Sequence, residues 1–395
     1  MKTSQILATM LLISFGSVGA VAFTPGLPQI AEYFGVSTNI TGFTVTWYLV
    51  GYTLGQLFYG PLTNYFGSRK TIIIGAIVEI IGATGCIASA PMHSFSILLI
   101  SRTIMAIGAG SGLTLAFILT SKLADPDKNA RIISLLTVSF AITPGLAVFA
   151  GGVLLEYFNW TSSFYLMCIY GLLILIIGIT LPEVIQDKNN NALNPKIIAK
   201  NYLAQIKSLP VVLGGLLVGS GTCFVYTFAA LAPFIAMDIM HMSTAQYGIY
   251  NFIPVVGMIL GSLMASALGK TYSTTRMLKI GLTIASLGVI AIVAGVGLFP
   301  QNHLSLFAPM FVIYIGFSFV FGNSSALALS KASDKSNASA MLSFVNMGSA
   351  VVIVTILGFL NNSNILLLPI LYIIFIIIGI ICFNILVRHL KPGTI

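Results

Sequence analysis

The chain has 395 residues, of which 57% are hydrophobic and only 7% charged, with a formal net charge of +9. Its mean hydropathy is +1.01. Soluble domains carry about 25% charged residues, so the composition excludes a water-soluble globular protein and places the chain in a bilayer. Cys86, Cys168, Cys223 and Cys382 lie inside apolar runs with no CxxC or other metal-ligand spacing, and read as small packing residues.

The N-terminal stretch MKTSQILATMLLISFGSVGAVA has the Lys2, apolar core and Ala20-x-Ala22 of a secretory signal. It is read instead as a first transmembrane helix that stays attached, because many more spans follow. A helix crossing the hydrocarbon core needs about 20 mostly apolar residues. Twelve runs qualify: Ile6–Phe23, Phe43–Leu62, Thr71–Ala90, Phe95–Leu119, Ile132–Leu155, Ser163–Leu181, Val211–Met237, Ile249–Leu268, Met277–Phe299, Leu304–Leu329, Ala338–Leu360 and Ile365–Val387. They are continuous, where the strands of a membrane barrel would alternate, so an all-α membrane protein is expected.

With the N-terminus inside, 17 of the 18 Lys and Arg residues fall on the cytoplasmic side, Arg102 being the exception. The outer loops carry Glu32, Glu156 and Asp238 but no Lys or Arg. This is the positive-inside pattern, with both termini cytoplasmic. The excess positive charge is then a topology signal facing anionic lipid, and no nucleic-acid footprint.

Between the sixth and seventh runs lies PEVIQDKNNNALNPKIIAKNYLAQIKS, polar at first and weakly amphipathic from Pro195 to Lys207. It reads as a cytoplasmic linker with a short surface helix. Three parts follow: a six-helix half over 1–181, a linker over 182–209, and a second six-helix half over 210–395. The halves repeat. With a shift of 206 residues, Gly51 falls on Gly257, Gly55 on Gly261, Leu57 on Leu263, Leu62 on Leu268 and Lys70 on Arg276. Each half thus has a GxxxG followed by a basic cytoplasmic turn. Small residues at this spacing pack membrane helices closely. Parallel six-helix repeats place a substrate near midplane at their interface.

The stretches PGLPQIAEYFGVS from Pro25 and WYLVGYTLGQLFYGPLTNYFGSRK from Trp47 carry a family resemblance. Pro25 and Pro28, then Tyr48, Gly51, Gln56, Gly60, Pro61 and Leu62, and the Pro233–Phe234 exit of the seventh span resemble the Bcr/CflA-like drug:proton antiporters of the major facilitator superfamily. The resemblance implies twelve transmembrane helices in two six-helix repeats that rock around a midplane cavity. It implies a monomeric transporter of the bacterial inner membrane, with protons, a small-molecule substrate and the lipid bilayer as partners.

The loop GPLTNYFGSRK resembles the superfamily link between spans two and three, roughly G-x-L-A-D-R-x-G-R-K, through Gly60, Leu62, Gly67, Arg69 and Lys70. Gly60 and Gly67 are expected to allow close approach and a sharp turn. The family's Asp is Asn64 here, which can accept hydrogen bonds at a helix end but brings no charge; a weaker conformational latch is inferred, the alternative being a plain tight turn. The span-four pattern R-x-x-Q-G appears as Arg102, Met105 and Ala106. The span-five pattern G-P-x-x-G-G keeps only Gly151 and Gly152, with Pro144 and Gly145 upstream as the candidate helix break. The acid that this subfamily often carries in span one is replaced by Val21.

Only Glu79 and Arg102 are charged residues well inside the apolar runs. A charge at mid-bilayer costs about 2.5–3.5 kcal/mol by the gentler scales, so both are candidates for proton coupling. Arg102 coincides with the family's span-four Arg; its structural alternative is bonding to helix carbonyls. Glu79 shares a helical face with Gly75, Ala76, Gly82, Ala83 and Cys86, so it packs against protein, either as a proton carrier or as a neutral packing acid. The two differ by about 7–8 Å in depth at about 1.5 Å rise per residue, within reach of a long Arg side chain. Candidates for an uncharged substrate cavity are Tyr48, Tyr52, Gln56, Tyr226, Asn251, Asn323 and Asn346, through ring faces and hydrogen bonds.

The expected function is proton-coupled export of small amphipathic compounds. The alternative is a dedicated metabolite or siderophore transporter of the same fold. No catalytic constellation appears at membrane depth, which argues against an enzyme. No GxxxxGK[ST] loop occurs, so ATP is not implied; the expected energy source is the proton gradient, with no cofactor and no metal.

Overall fold

The computed structural model describes residues 2–123, 126–185, 188–189, 191–269, 271–330, 332, 335–360 and 364–390. Lys270, Lys331 and Lys391, which entered the topology argument, lie outside the described residues, as do Gln186, Asp187 and Asn190 of the linker.

The helices in chain order are α1 Thr3–Val21, α2 Leu27–Phe34, α3 Thr38–Phe66, α4 Ser68–Ala88, α5 Phe95–Ala109, α6 Ser111–Leu123, α7 Pro126–Tyr157, α8 Ser162–Thr180, α9 Pro195–Ile206, α10 Leu209–Phe234, α11 Thr244–Tyr250, α12 Phe252–Leu268, α13 Thr274–Leu298, α14 His303–Leu329, α15 Lys335–Leu357 and α16 Leu367–Leu390. Among the described residues, ten helical stretches are long and apolar enough to cross a membrane. Several join two helices: α1 with α2, α5 with α6, and α11 with α12. α3 and α7 complete the twelve helices of the fold.

α3 is less apolar because it carries six threonines. Four of their hydroxyls turn back on the helix: Thr41 donates to Ser37 O, Thr44 to Thr41 O, Thr53 to Leu49 O and Thr63 to Tyr59 O, while Thr46 Oγ1 is enclosed without a partner among the described residues. A polar span is tolerated in lipid when most of its polar groups are satisfied locally. Several helix starts are fixed the same way. Ser37, Ser94, Ser243 and Ser273 each accept a backbone N–H of the first turn, and so does Asn302.

The first span continues past its expected end at Phe23. A 3-10 turn over Thr24–Gly26, containing Pro25, leads into α2, which closes on Gly35 at φ +61°. The second span likewise continues past Leu62 to Phe66. α9 has no buried residue, as a surface helix should.

The chain forms two compact units, Met1–Ile198 and Ala199–Ile395, the boundary falling within α9. Each is built alike. α4 packs on α5 and α8, and α3 on α5; in the second unit α13 packs on α14 and α16, and α12 on α14. The GxxxG pairs explain the last of these contacts. A Cβ at Gly51 or Gly55 would run into the α5 carbonyls of Thr103 and Ile107; at Gly257 or Gly261 it would meet those of Phe311 and Ile315 on α14. The repeated glycines let backbone lie on backbone at the same place in both units.

Candidate functional site

Arg102 is fully buried on α5. Its Nη1 donates to Gly19 O at 2.8 Å and its Nε to Thr44 O at 3.2 Å. Gly19 lies in the last turn of α1, where carbonyls lose their helical partners and the helix dipole favours a cation. The guanidinium carbon also stands 3.9 Å from the Phe23 ring centroid and 4.2 Å from that of Tyr48. Arg102 therefore ties the end of α1 to α3 and α5 through two carbonyls and two aromatic faces. Its Nη2 is enclosed with no hydrogen-bond partner among the described residues.

Tyr48 belongs to this node. It is fully buried, and its hydroxyl donates to Gly16 O at 2.8 Å. Tyr52 stacks below it, with ring centroids 6.3 Å apart and planes inclined by 18°. Both rings lie on α1, since a Cβ at Gly16 would strike Tyr52 and one at Gly19 would strike the Tyr48 hydroxyl. Gln56, one turn further along α3, sets its enclosed amide against the Tyr52 side chain.

Glu79 is 2% exposed, and its expected small-residue face is buried throughout: Gly75, Ala76, Gly82, Ala83 and Cys86. The carboxyl points at α8, where a Cβ on Gly171 would collide with Oε2. Behind it, Gly108 of α5 lies so close that a Cβ there would strike the Glu79 backbone. Oε2 is enclosed and has no hydrogen-bond partner among the described residues. The structure does not join Glu79 to Arg102: the bonds recorded for the guanidinium go to Gly19 and Thr44. The side-chain reach allowed an ion pair; the carbonyls at the end of α1 take the Arg instead.

The second unit shows what is particular about the first. Gly316 of α14 meets the backbone of Ala285 and the carbonyl of Gly281 on α13, as Gly108 meets that of Glu79 and Gly75. Ala285 thus occupies the place of Glu79. By the same alignment of α14 on α5, Met310 occupies the place of Arg102, and both are fully buried. The two membrane-embedded charges have apolar counterparts in the second unit.

The remaining cavity candidates there separate. Asn251 Nδ2 donates to Tyr247 O and Asn323 Nδ2 to Phe319 O, each at 2.8 Å, so both amides are tied to their own chain one turn back. Tyr226 is buried on α10. Asn346 on α15 is buried with an enclosed Oδ1 that lacks a partner among the described residues.

The basic loop corrects two expectations and bears out one. The turn is a single residue, Gly67 at φ +94°, between the end of α3 and the start of α4. Gly60 is not part of it: α3 runs through Gly60 and Pro61, and a Cβ at Gly60 would meet nothing within 4 Å. Nor does Asn64 cap the next helix. It is exposed, and its carbonyl accepts from Asn189 N of the linker at 2.9 Å. The cap comes from Glu183. Its Oε1 accepts from Ser68 N and Ser68 Oγ, each at 2.8 Å, and its Oε2 accepts from Arg69 N at 3.2 Å. Ile185 N closes the linker turn on the same carboxylate at 2.9 Å. Partial burial alone would raise this carboxyl; the four hydrogen bonds outweigh it and hold the group below its usual range. Arg69 and Lys70 are exposed in the first turn of α4, where they oppose the helix dipole and the Glu183 charge offsets them.

The expected break at Pro144–Gly145 is also corrected. α7 runs unbroken from Pro126 to Tyr157, with Pro144 inside it. Gly151 has a definite packing role, since a Cβ there would strike the Ala22 carbonyl at the end of α1, and Gly152 is buried beside it.

Glu183 was missed in the sequence because it stands outside the apolar runs. The available signal was an acid two residues beyond a span, in a segment where lysines outnumber acids. Also missed was the aromatic cluster around Tyr33, which stacks on His93 at 5.0 Å and meets Trp160 at 5.4 Å.

Residues 7–357 match the profile of the Major Facilitator Superfamily. The bicyclomycin resistance protein homolog of Haemophilus influenzae is 26% identical over 282 residues, covering 71% of this chain and 70% of that protein. The multidrug resistance protein MdtL of Salmonella paratyphi A is 26% identical over 327 residues, covering 82% and 80%. In fold, the chain superposes on a crystal structure of a D-xylose–proton symporter with a TM-score of 0.79 at 16% identity, covering 98% of each chain.

Proposed function

Because the chain belongs to the Major Facilitator Superfamily, we propose that this multi-pass membrane transporter exports small amphipathic compounds by alternating access, driven by inward proton flow. The bicyclomycin and multidrug resistance relatives support the substrate class. The observation that carries the coupling is the enclosed carboxyl of Glu79, unpartnered at Oε2 and replaced by alanine at the same place in the second unit. Packing at this contact needs only a small side chain, so the acid answers another demand. A proton gained neutralises a charge that lipid and protein both disfavour, and a proton lost restores it.

Arg102 is then a positioning residue that holds the end of α1, not a proton carrier. Within the second unit, Asn346 offers an unpartnered amide oxygen able to hold a polar group of a substrate. The proposed setting is the inner membrane of a bacterium with both termini cytoplasmic, the protein acting as a monomer without a cofactor.

The test is proton release from everted vesicles under an imposed inward-acid gradient, with ethidium and neutral lipophilic drugs as probes. Ethidium or a neutral drug should collapse the gradient with wild-type protein and fail to do so with Glu79→Gln. If no probe moves protons in wild type, drug export is wrong. A Glu79→Gln variant as active as wild type would make Glu79 a packing residue.

A further inference from the structure

At the end of the first unit that the lysine and arginine distribution assigns to the outer face, a cleft of about 410 Å³ opens between α4 and α8. Tyr33, Trp160 and Tyr165 form its aromatic walls, and Asn159, Thr161 and Thr84 supply polar groups. No charged side chain lines it. Such a volume holds far more than a single water.

The cleft leads inward along one seam. On α8, Tyr165, Cys168 and Gly171 follow one another at three-residue intervals, about 4.5 Å apart in rise, and so descend one face. On α4, Thr84 lies five residues from Glu79, about 7.5 Å in rise. The two helices meet midway, where Thr84 Oγ1, which donates to Ile80 O at 2.8 Å, stands 3.8 Å from Cys168 Sγ and can accept from it. Gly171 then meets Glu79 Oε2, the enclosed oxygen without a partner. Polar atoms thus step from the cleft towards the carboxyl, Asn159 and Thr161, then Thr84 and Cys168, and Gly171 is the α8 residue that meets Glu79.

We propose that the α4–α8 seam is a proton path, entering at this cleft and ending on the Glu79 carboxyl. The inference rests on the reading of Glu79 as the group that takes up the proton. A proton passed from the cleft binds the carboxylate to give the neutral acid, and its later release restores the carboxylate; no other bond changes. Because Gly171 has no Cβ, Glu79 Oε2 reaches the α8 backbone at this end of the seam.

The titratable groups around the seam are few. Cys86 lies on the Glu79 face of α4, Cys168 and Tyr170 lie on α8, and the Tyr170 hydroxyl already donates to Leu11 O at 2.8 Å. Arg102 on α5 is bonded to Gly19 and Thr44. Tyr48, Tyr52 and Tyr59 lie on α3, and Lys122 is exposed at the far end of α6. His93 stacks on Tyr33, which lines the cleft.

The experiment needs no transported substrate. Purified full-length protein in liposomes is moved into D2O, and the infrared carboxylic-acid band that disappears in Glu79→Gln is followed as it shifts. Ala88→Trp fills the cleft that Ala88 lines. Thr84→Val removes the hydroxyl midway while keeping its shape, and decides the matter if the tryptophan variant does not fold. Each should slow deuterium exchange of the Glu79 band at least tenfold. Exchange at the wild-type rate in Thr84→Val and Ala88→Trp overturns the path and leaves Glu79 as a proton site reached another way. If no carboxylic-acid band is lost in Glu79→Gln, the reading beneath it falls, and the path with it.

Discussion

Glu79 and Ala285 occupy the same position in the two units, each held against a glycine of the neighbouring helix, Gly108 and Gly316 respectively. The pair separates what the fold needs from what the carboxyl adds. A buried polar group without a partner costs about 1–3 kcal/mol. Glu79→Met keeps most of the volume and removes that cost. The variant should therefore melt at the wild-type temperature or a few degrees above it in detergent, while proton-coupled transport is lost. A large drop in melting temperature would mean that the carboxyl is part of the packing.

Gly108→Ala and Gly316→Ala test the repeat itself. In both, the new Cβ would meet backbone atoms of the facing helix, which cannot turn aside as a side chain can. Forcing such a contact costs about 1–3 kcal/mol or more. The two variants should be destabilised to a similar extent, read as matching losses of folded protein in a thermal melt. Gly60→Ala is the control, because its Cβ would enter open space. A harmless Gly108→Ala would overturn the assignment of Glu79 to a tight backbone contact.

The spans were legible because lipid demands long apolar helices, and the GxxxG pairs were legible because the repeat places them at one shift. Helix ends were harder to read. α3 outlasts its apolar run by four residues because its polar end needs no lipid, and Gly67 alone makes the turn that Gly60 was expected to share. The site was half legible. Charge at membrane depth identifies Glu79 and Arg102, but their separate partners depend on where the last carbonyls of α1 fall, which no local pattern states. Glu183 lies about 115 residues along the chain from the helix it caps, and only the fold brings them together.

Arg102→Met copies the residue that the second unit carries at the same place. In the first unit it should fail. It would remove two hydrogen bonds from a charged donor, each worth about 1.5–3 kcal/mol, and leave Gly19 and Thr44 carbonyls without that partner. Arg102→Lys should recover only part of the loss, because an ammonium lacks the planar fork that reaches both carbonyls. The measurement is melting temperature together with transport. A lysine variant unable to couple protons but fully stable would return Arg102 to the list of proton-handling groups.

The Glu183 cap predicts a pH dependence of definite sign. The carboxyl is held below its ordinary value of 4.5 in the folded protein. A depressed carboxylate stabilises the native state fully above its unfolded value, and that contribution is lost as pH falls through the folded value. Glu183→Gln should therefore cost stability at pH 7, about 0.5–1 kcal/mol for a solvent-screened cap. The gap between wild type and variant should close as the melt is repeated below pH 4.5. Gly67→Ala should be costlier than Glu183→Gln, because it combines the strain of φ +94° with a collision against the same carboxylate. A wild-type–variant gap that persists unchanged at acid pH would mean that Glu183 acts through its shape, not through its charge on the start of α4.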